Sequence, residues 1–435
     1  MEPPLTGMIP LYVQTMKQLK KTLAALLCIA VMVMAGGTTV FARQAQQPGS
    51  VIIDIESGET AEQLMSDSVP AWSSSDSLIP TDAKALNVGG KSAVLMELSS
   101  GQVLFEKNSH ERLPIASVNK VMTLLLIMEA LDKGIIGLDD TVTCSAYAAS
   151  MGGSQIWLEP GEIMSVDHLI KAIAVVSAND ACAMMAEYIC GSEEGFVQSM
   201  NERAAALGMV DTEFKDCSGL DDQAFSSAHD VALMSRELMK HKKITKYTTI
   251  WMDTLRKGES QLVNTNKLVR FYPGATGLKT GTTSKAGHNL SATAERDSMG
   301  LAAVILGCKT TDERFGGARK MLDYGFANYA IYTPKIEVGA LAPVKVLRGV
   351  DVKVESVMNQ PKPLLIKKGQ EKSITQQLTL AENLEAPVYD RQVIGELTLM
   401  IEGSFAAKYD IYAACGVPRL GFIQAFKRLF KALVA

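Results

Sequence analysis

Ser117-Val-Asn-Lys-Val-Met-Thr-Leu-Leu-Leu-Ile-Met-Glu-Ala-Leu-Asp-Lys133 decides how this chain folds. The stretch is apolar nearly all round, and Gly134 stands just past its end. A helix without a polar face belongs inside a domain, and a following glycine supplies its stop. Upstream, Ala93 to Glu97 and Gln102 to Lys107 read as two strands joined by the turn Ser99-Ser100-Gly101. Downstream, Ser165 and Asp167 open a helix running to Val176. Asp180 is placed to cap another through Tyr188, and Glu193 to Leu207 forms the next, stopped by Gly208. Ser227 with Asp230 has the form of a capping box. Strand signals return at Gly277 to Thr282, His288 to Ala294 and Leu301 to Leu306, with Arg296-Asp297-Ser298 turning between the last two. A helix from Glu313 to Asp323 follows. Helices gathered between an early hairpin and late strands predict an α+β domain with one antiparallel sheet.

The 435 residues are 47% hydrophobic, enough for a large core and more than one domain. The net charge of −4 offers no basic face for nucleic acid. The five His contain no His-x-x-x-His pair and the seven Cys no Cys-x-x-Cys pair, so a zinc site is not expected, and no cofactor is called for. Cys182 and Cys190 are about 12 Å apart along a helix axis, too far to bridge. The cysteines are expected to be mostly free and buried.

Both ends carry membrane signals. From Met16 the chain reads Lys17, Lys20, Lys21, an apolar run Leu23 to Ala35, then Val40-Phe41-Ala42. That order describes an export signal over residues 1–42, and the run is short for a membrane span. Residues 43–83 are rich in Ser, Asp, Gln and Pro and read as a flexible tether. At the other end Phe422, Phe426, Leu429, Phe430 and Leu433 repeat at helical spacing, with Lys427, Arg428 and Lys431 largely opposite. A basic amphipathic helix over 419–435 fits a membrane surface better than a packed core. Before it, residues 333–418 read as a small β domain. Val344, Val346, Val350, Val352 and Val354 alternate with polar residues, and Leu378-Thr-Leu380 and Leu397-Thr-Leu399 repeat the period.

Residues 84–332 carry the chemistry. Ser117-Val-Asn-Lys120 opens the buried helix, where free N–H groups and the helix dipole favour an oxyanion. Lys120 lies one turn on, so its amine shares a face with the Ser117 hydroxyl and can take that proton. Taken alone, this pair reads as a capping serine and a surface lysine. An idle ammonium in an apolar helix start is costly, however. Ser177-Ala-Asn179 falls between two helices. Its hydroxyl can relay a proton to a leaving amine, and its amide can hold Lys120 and a substrate amide. Taken alone, it is a helix-to-helix turn. Lys279-Thr-Gly281 lies on a strand within Gly274-Ala-Thr-Gly-Leu-Lys-Thr-Gly-Thr-Thr283. Gly281 lets a peptide approach the backbone, the Lys279 charge and Thr280 hydroxyl suit a carboxylate, and the Thr282 amide supplies a second oxyanion donor. Lys279 would also help Lys120 give up its proton. Each motif is weak by itself. In this order, on a helix start, a loop and a strand, they are the three elements of the penicillin-recognising serine acyl-enzymes.

Arg112-Leu-Pro-Ile-Ala-Ser-Val-Asn-Lys-Val-Met-Thr123, Gly274 to Thr283, Ser291-Ala-Thr-Ala-Glu-Arg-Asp297 and Met321-Leu-Asp-Tyr-Gly-Phe326 closely match one family. Most of residues 84–435 resembles the low-molecular-mass penicillin-binding proteins that are D-alanyl-D-alanine carboxypeptidases. The resemblance implies a β-lactamase/transpeptidase-like catalytic domain, a second all-β domain and a terminal amphipathic anchor. It implies a Ser117 ester formed on the penultimate D-Ala of a peptidoglycan stem peptide, with Lys120, Ser177 and Asn179 catalytic. Lys279, Thr280, Gly281 and Thr282 bind substrate, and β-lactams act as covalent inhibitors. The implied location is the outer face of the cytoplasmic membrane. The long acidic tether departs from the family pattern. So does His288, in a segment that varies within it. A class A-like β-lactamase needs a placed Glu that is not evident here, and a transpeptidase differs only in its acceptor. A non-turnover β-lactam receptor would be expected to carry a transmembrane signalling segment. A Ser-His-Asp hydrolase lacks its Gly-x-Ser-x-Gly elbow.

Overall fold

A computed structural model describes residues 50–52, 79, 81–335, 339 and 341–434. The export signal and most of the tether fall outside these residues. Within the tether, Ser50–Ile52 forms a three-residue strand running parallel beside Ser260–Leu262, and residues 79 and 81–83 are also described.

The centre is a five-stranded antiparallel sheet. Its strands are β1 (Ser92–Glu97), β2 (Val103–Lys107), β3 (Ala275–Thr283), β4 (Gly287–Arg296) and β5 (Met299–Cys308), in the spatial order β2-β1-β5-β4-β3. Strands β1, β3, β4 and β5 extend one or two residues past the expected ranges, whereas β2 begins one residue later than expected. The Glu97 carboxylate ties the β1–β2 turn by accepting from the Ser99 and Ser100 amides. Asp297 and Ser298 both take positive φ, 49° and 64°, matching the twist of a two-residue hairpin.

Both faces of the sheet are covered, so its strands are apolar on both sides. Val94, Met96, Val304 and Leu306 point into the larger core. It holds α1 (Lys120–Asp132), α2 (Val166–Val176), α3 (Asn179–Cys190) and α4 (Ala228–Lys240). Their neighbours Ala93, Leu95, Leu301, Ala303 and Ile305 point the other way, onto α5 (Thr311–Asn328). Helix α1 is buried almost throughout, as its unbroken apolar surface requires. Ser227 caps α4 by accepting from the Asp230 amide at 3.2 Å. The Asp230 carboxylate turns instead to the Asp211 amide and Thr212 hydroxyl.

Two local expectations change. Ser117 is not a side-chain cap; it sits in a 3-10 turn, Ala116–Asn119, that leads into α1. Asp180 is not the cap of α3, which begins a residue earlier; its buried carboxylate serves the preceding loop.

After α5, short strands build small sheets around their own core of Val344, Val346, Val354, Ile394, Ile411 and Val417. The longest pairing joins Val393–Ile401 to Ser404–Ala413. The valine alternation does not hold through the turn at Gly349. Arg348 there takes φ 59°, and Val352 faces solvent while Val344 and Val354 face the core. The chain ends in α6 (Phe422–Val434). No helix among the described residues is long and apolar enough to cross a membrane.

Candidate active site

The first and third motifs meet at one edge of the sheet. Strand β3 pairs with β4 on one side only, Lys279 opposite Ser291 and Gly281 opposite Asn289. Its other edge faces the turn that carries Ser117. The approach is so close that a Cβ on Gly281 would stand 2.7 Å from the Ile115 carbonyl oxygen, 2.8 Å from the Val118 nitrogen and 2.9 Å from the Ser117 nitrogen. Glycine is required here for lack of room, since its own backbone is unstrained. The Ser117 amide and the backbone at Gly281, next to Thr282, are thereby close neighbours.

Lys120 Nζ lies 2.7 Å from Ser117 Oγ and donates at 2.7 Å to the Ser218 carbonyl oxygen. Both side chains are almost wholly buried. A buried amine held by a hydroxyl and a carbonyl is oriented by its surroundings. Ala116, just before the serine, takes φ 49°, strained backbone at the point where the nucleophile is presented.

Ser177 ends α2 in the left-handed conformation, φ 65° and ψ 27°, a place usually taken by glycine. It is fully buried, and its Oγ has no hydrogen-bond partner among the described residues. Keeping a serine there costs about 1 kcal/mol in backbone strain and leaves a hydroxyl unsatisfied. Asn179 opens α3, with Nδ2 donating to the Gly152 carbonyl at 2.7 Å and its amide to Ser154 at 2.7 Å. Lys279 Nζ donates to the Thr280 carbonyl at 2.9 Å, and the Thr280 hydroxyl meets the Thr265 hydroxyl at 2.7 Å. Ser117 and Lys120 thus lie against the strand of Lys279, Thr280, Gly281 and Thr282, while Ser177 and Asn179 stand at the junction of α2 and α3, where the Val175 carbonyl accepts from the Thr265 amide next to Thr280.

A family model described as D-alanyl-D-alanine carboxypeptidase matches residues 79–310, and one described as penicillin-binding protein 5, C-terminal domain, matches residues 333–419. The D-alanyl-D-alanine carboxypeptidase DacF of Bacillus subtilis is 44% identical over 343 residues, covering 78% of this chain and 88% of that protein. The chain belongs to the D-alanyl-D-alanine carboxypeptidase family. It is a peptidase, a hydrolase of serine type. DacC of Escherichia coli is 33% identical over 348 residues, covering 78% of this chain and 87% of that protein. The crystal structure of penicillin binding protein 5 from Haemophilus influenzae superposes with a TM-score of 0.66 at 30% identity, covering 77% of this chain and 98% of that one. The α+β fold with a penicillin-binding-protein sheet and an all-β second domain is that of these carboxypeptidases.

Several groups of this carboxypeptidase site escape a motif search. Asp216 gathers the Ser218, Gly219 and Asp221 amides onto its carboxylate and the Asn119 side chain onto its carbonyl. That arrangement aims the Ser218 carbonyl at Lys120. Asn289 donates to the Pro114 carbonyl at 3.1 Å, tying β4 to the approach of Ser117. Arg314, fully buried on α5, donates to Thr282 Oγ1 at 3.0 Å. Asp180 accepts from the Ile156, Leu158 and Ala181 amides, and burial outweighs these bonds and raises its carboxyl above the ordinary value. Between the first two amides Trp157 takes φ 59° with its ring half exposed. The one readable signal for this group is the polar run Asp216 to Gln223, too rich in Asp and Gly for a helix.

Among the described residues six cysteines are free: Cys144, Cys182, Cys217 and Cys308 buried, Cys190 and Cys415 exposed. Burial pushes the Cys182 thiol up to about 12. Among the described residues no cluster of His, Cys, Asp or Glu is arranged to hold a metal ion.

Proposed function

We propose that the chain removes the terminal D-Ala from peptidoglycan stem pentapeptides through a Ser117 ester. Ser117 Oγ attacks the carbonyl carbon of the penultimate D-Ala while Lys120 Nζ takes the hydroxyl proton. The oxyanion faces the Ser117 and Thr282 amides. Ser177 Oγ hands a proton to the departing nitrogen, the C–N bond breaks, and D-Ala leaves. Water, losing its proton toward Lys120, then cleaves the ester. Lys279 and Thr280 receive the terminal carboxylate, Gly281 lets the peptide lie against β3, and Asn179 steadies Lys120 and the substrate amide. β-Lactams acylate the same hydroxyl as their ring C–N bond breaks, and because the freed nitrogen stays tethered to the acyl group nothing departs and the ester persists.

One observation carries this reading: a buried amine lies 2.7 Å from a buried serine hydroxyl. The two sit where Gly281 touches the Ser117 backbone. The test incubates the protein with a pentapeptide ending in D-Ala-D-Ala and follows free D-Ala. Release that is lost in Ser117→Ala is expected. Penicillin hydrolysis without D-Ala release, or turnover by Ser117→Ala, would overturn it.

The proposed place of action is the outer face of the cytoplasmic membrane, reached by export through residues 1–42. Helix α6 would rest on the membrane surface. Its Phe422, Ile423, Phe426, Leu429 and Phe430 stand 86%, 70%, 61%, 64% and 62% exposed, the arrangement of a helix that buries its apolar side in lipid. Sedimentation with anionic vesicles, lost on deleting residues 422–434, is the expected result; binding that survives the deletion would refute it.

A further inference from the structure

Between residues 43 and 83 the tether holds a single run of consecutive β-branched residues, Val51-Ile52-Ile53. Such side chains favour extended backbone. Ser50–Ile52 is a strand in the structure, parallel to Ser260–Val263, with Ser50 opposite Ser260, Val51 opposite Gln261 and Ile52 opposite Leu262. On its other side Ser260–Val263 pairs antiparallel with Met252–Leu255. A strand at an edge presents a row of unpaired N–H and C=O groups. Ser260–Val263 would be such an edge without the tether, yet Ser260, Leu262 and Val263 are buried like residues of a central strand. The tether residues turn this hairpin into a three-stranded sheet.

The hairpin is tied to the catalytic machinery. Leu255 and Leu262 pack in the larger core, and Asp253 pairs with Lys171 of α2 at 2.8 Å. Two residues past Val263 comes Thr265. Its amide donates to the Val175 carbonyl at 3.2 Å, two residues before Ser177, and its hydroxyl meets the Thr280 hydroxyl at 2.7 Å. Thr265 thus joins the end of α2 to β3, and its position is set by the strand that leads into it.

We propose that the outer edge of Ser260–Val263 is a strand-docking site for an extended, β-branched peptide. Residues 50–52 of the same chain fill it, and their docking steadies Thr265 between α2 and β3. Recognition is by main-chain pairing, the mode of strand addition. The tether is therefore moored to the catalytic domain at this point and is not a free spacer along its whole length.

The test uses the full chain in a Cys190→Ser, Cys415→Ser background, which removes the exposed thiols. Val51→Cys with Gln261→Cys sets thiols on directly opposite residues, about 4.8 Å apart across paired strands and within disulfide reach. Oxidation by glutathione disulfide should join them within one chain, as read by peptide mapping and a non-reducing gel. A link between two chains would give the edge to a second copy and overturn the assignment to the same chain. No link would overturn the docking. In a second variant, Val51→Pro with Ile52→Pro removes amide hydrogens that the pairing uses. Hydrogen exchange at Ser260–Val263 should then quicken about tenfold or more, as a paired strand becomes an edge. Unchanged exchange overturns the docking independently, so the proposal stays decidable if the cysteine variant fails to fold. Acylation of the proline variant by a fluorescent penicillin should slow roughly two- to fivefold, since small displacements of positioning groups are felt in rate. Acylation at the wild-type rate with quickened exchange overturns the steadying of Thr265. This last readout alone rests on the peptidase reading. No acylation of the wild type would overturn that reading and the steadying role with it, while the crosslink and the exchange still decide the docking.

Discussion

Gly281→Ala is the sharpest probe of the site, because the structure gives both its direction and its size. The new Cβ would meet three backbone atoms at 2.7, 2.8 and 2.9 Å, belonging to Ile115, Val118 and Ser117. None of these is the far end of a flexible side chain, so β3 or the Ser117 turn must move. Ordinary contact for a carbon begins near 3.4 Å, so the required displacement is about 0.5–0.7 Å. That distance is small against the fold, and overpacking of this kind costs about 1–3 kcal/mol of stability. It is large against the chemistry. The displacement separates the Thr282 amide from the Ser117 amide, and a misplacement near 1 Å costs about 100-fold in rate. The acylation rate with a fluorescent penicillin, and D-Ala release from a pentapeptide, should therefore fall roughly 10- to 100-fold. A modest fall in Tm should accompany the loss. Acylation within twofold of wild type, in a variant shown to be folded, would refute the placement of β3 as the second wall of the site.

Further outcomes are expected elsewhere. Ser177→Gly should raise Tm, relieving about 0.5–1 kcal/mol of left-handed strain, while lowering D-Ala release about 100-fold or more; unchanged turnover would remove Ser177 from the mechanism. In native protein the two exposed thiols, Cys190 and Cys415, should react with a thiol reagent well before the buried ones, whose reactivity burial suppresses at Cys144 (pushed up to about 11), Cys182 and Cys308 (both about 12). Fast labelling at Cys182 would contradict the packing around α3. Burial raises the Asp180 carboxyl, so its contribution to stability is full below about pH 4 and declines as pH rises through the raised value. Asp180→Asn lacks that decline, so the difference in urea midpoint between variant and wild type should move in the variant's favour from pH 4 to pH 7. Parallel profiles would sink the assignment.

What could be read in the sequence was local. Helix α1 and the five strands announce themselves through apolar runs long enough that packing cannot overrule them. The three motifs are legible because each brings its chemistry within four residues. What stayed hidden depends on distant partners. Ser177 looks like an ordinary turn serine, and nothing nearby says that its backbone is left-handed. Asp180 matches a helix cap by pattern, yet three buried amides outbid that role. The Ser218 carbonyl reaches Lys120 across 98 residues of chain. Val352 kept the alternation of its neighbours but not their burial, because the turn at Gly349 shifts the frame.

The Lys279 end of β3 bears on what can be cut. Lys279 and Thr280 are 1% and 0% exposed, with Thr265 behind them. In the proposed binding mode a free carboxylate meets these enclosed groups, whereas a chain that continued past the bond would have to displace them. Trimming of chain ends, rather than cuts in the middle of a strand, is what that arrangement favours.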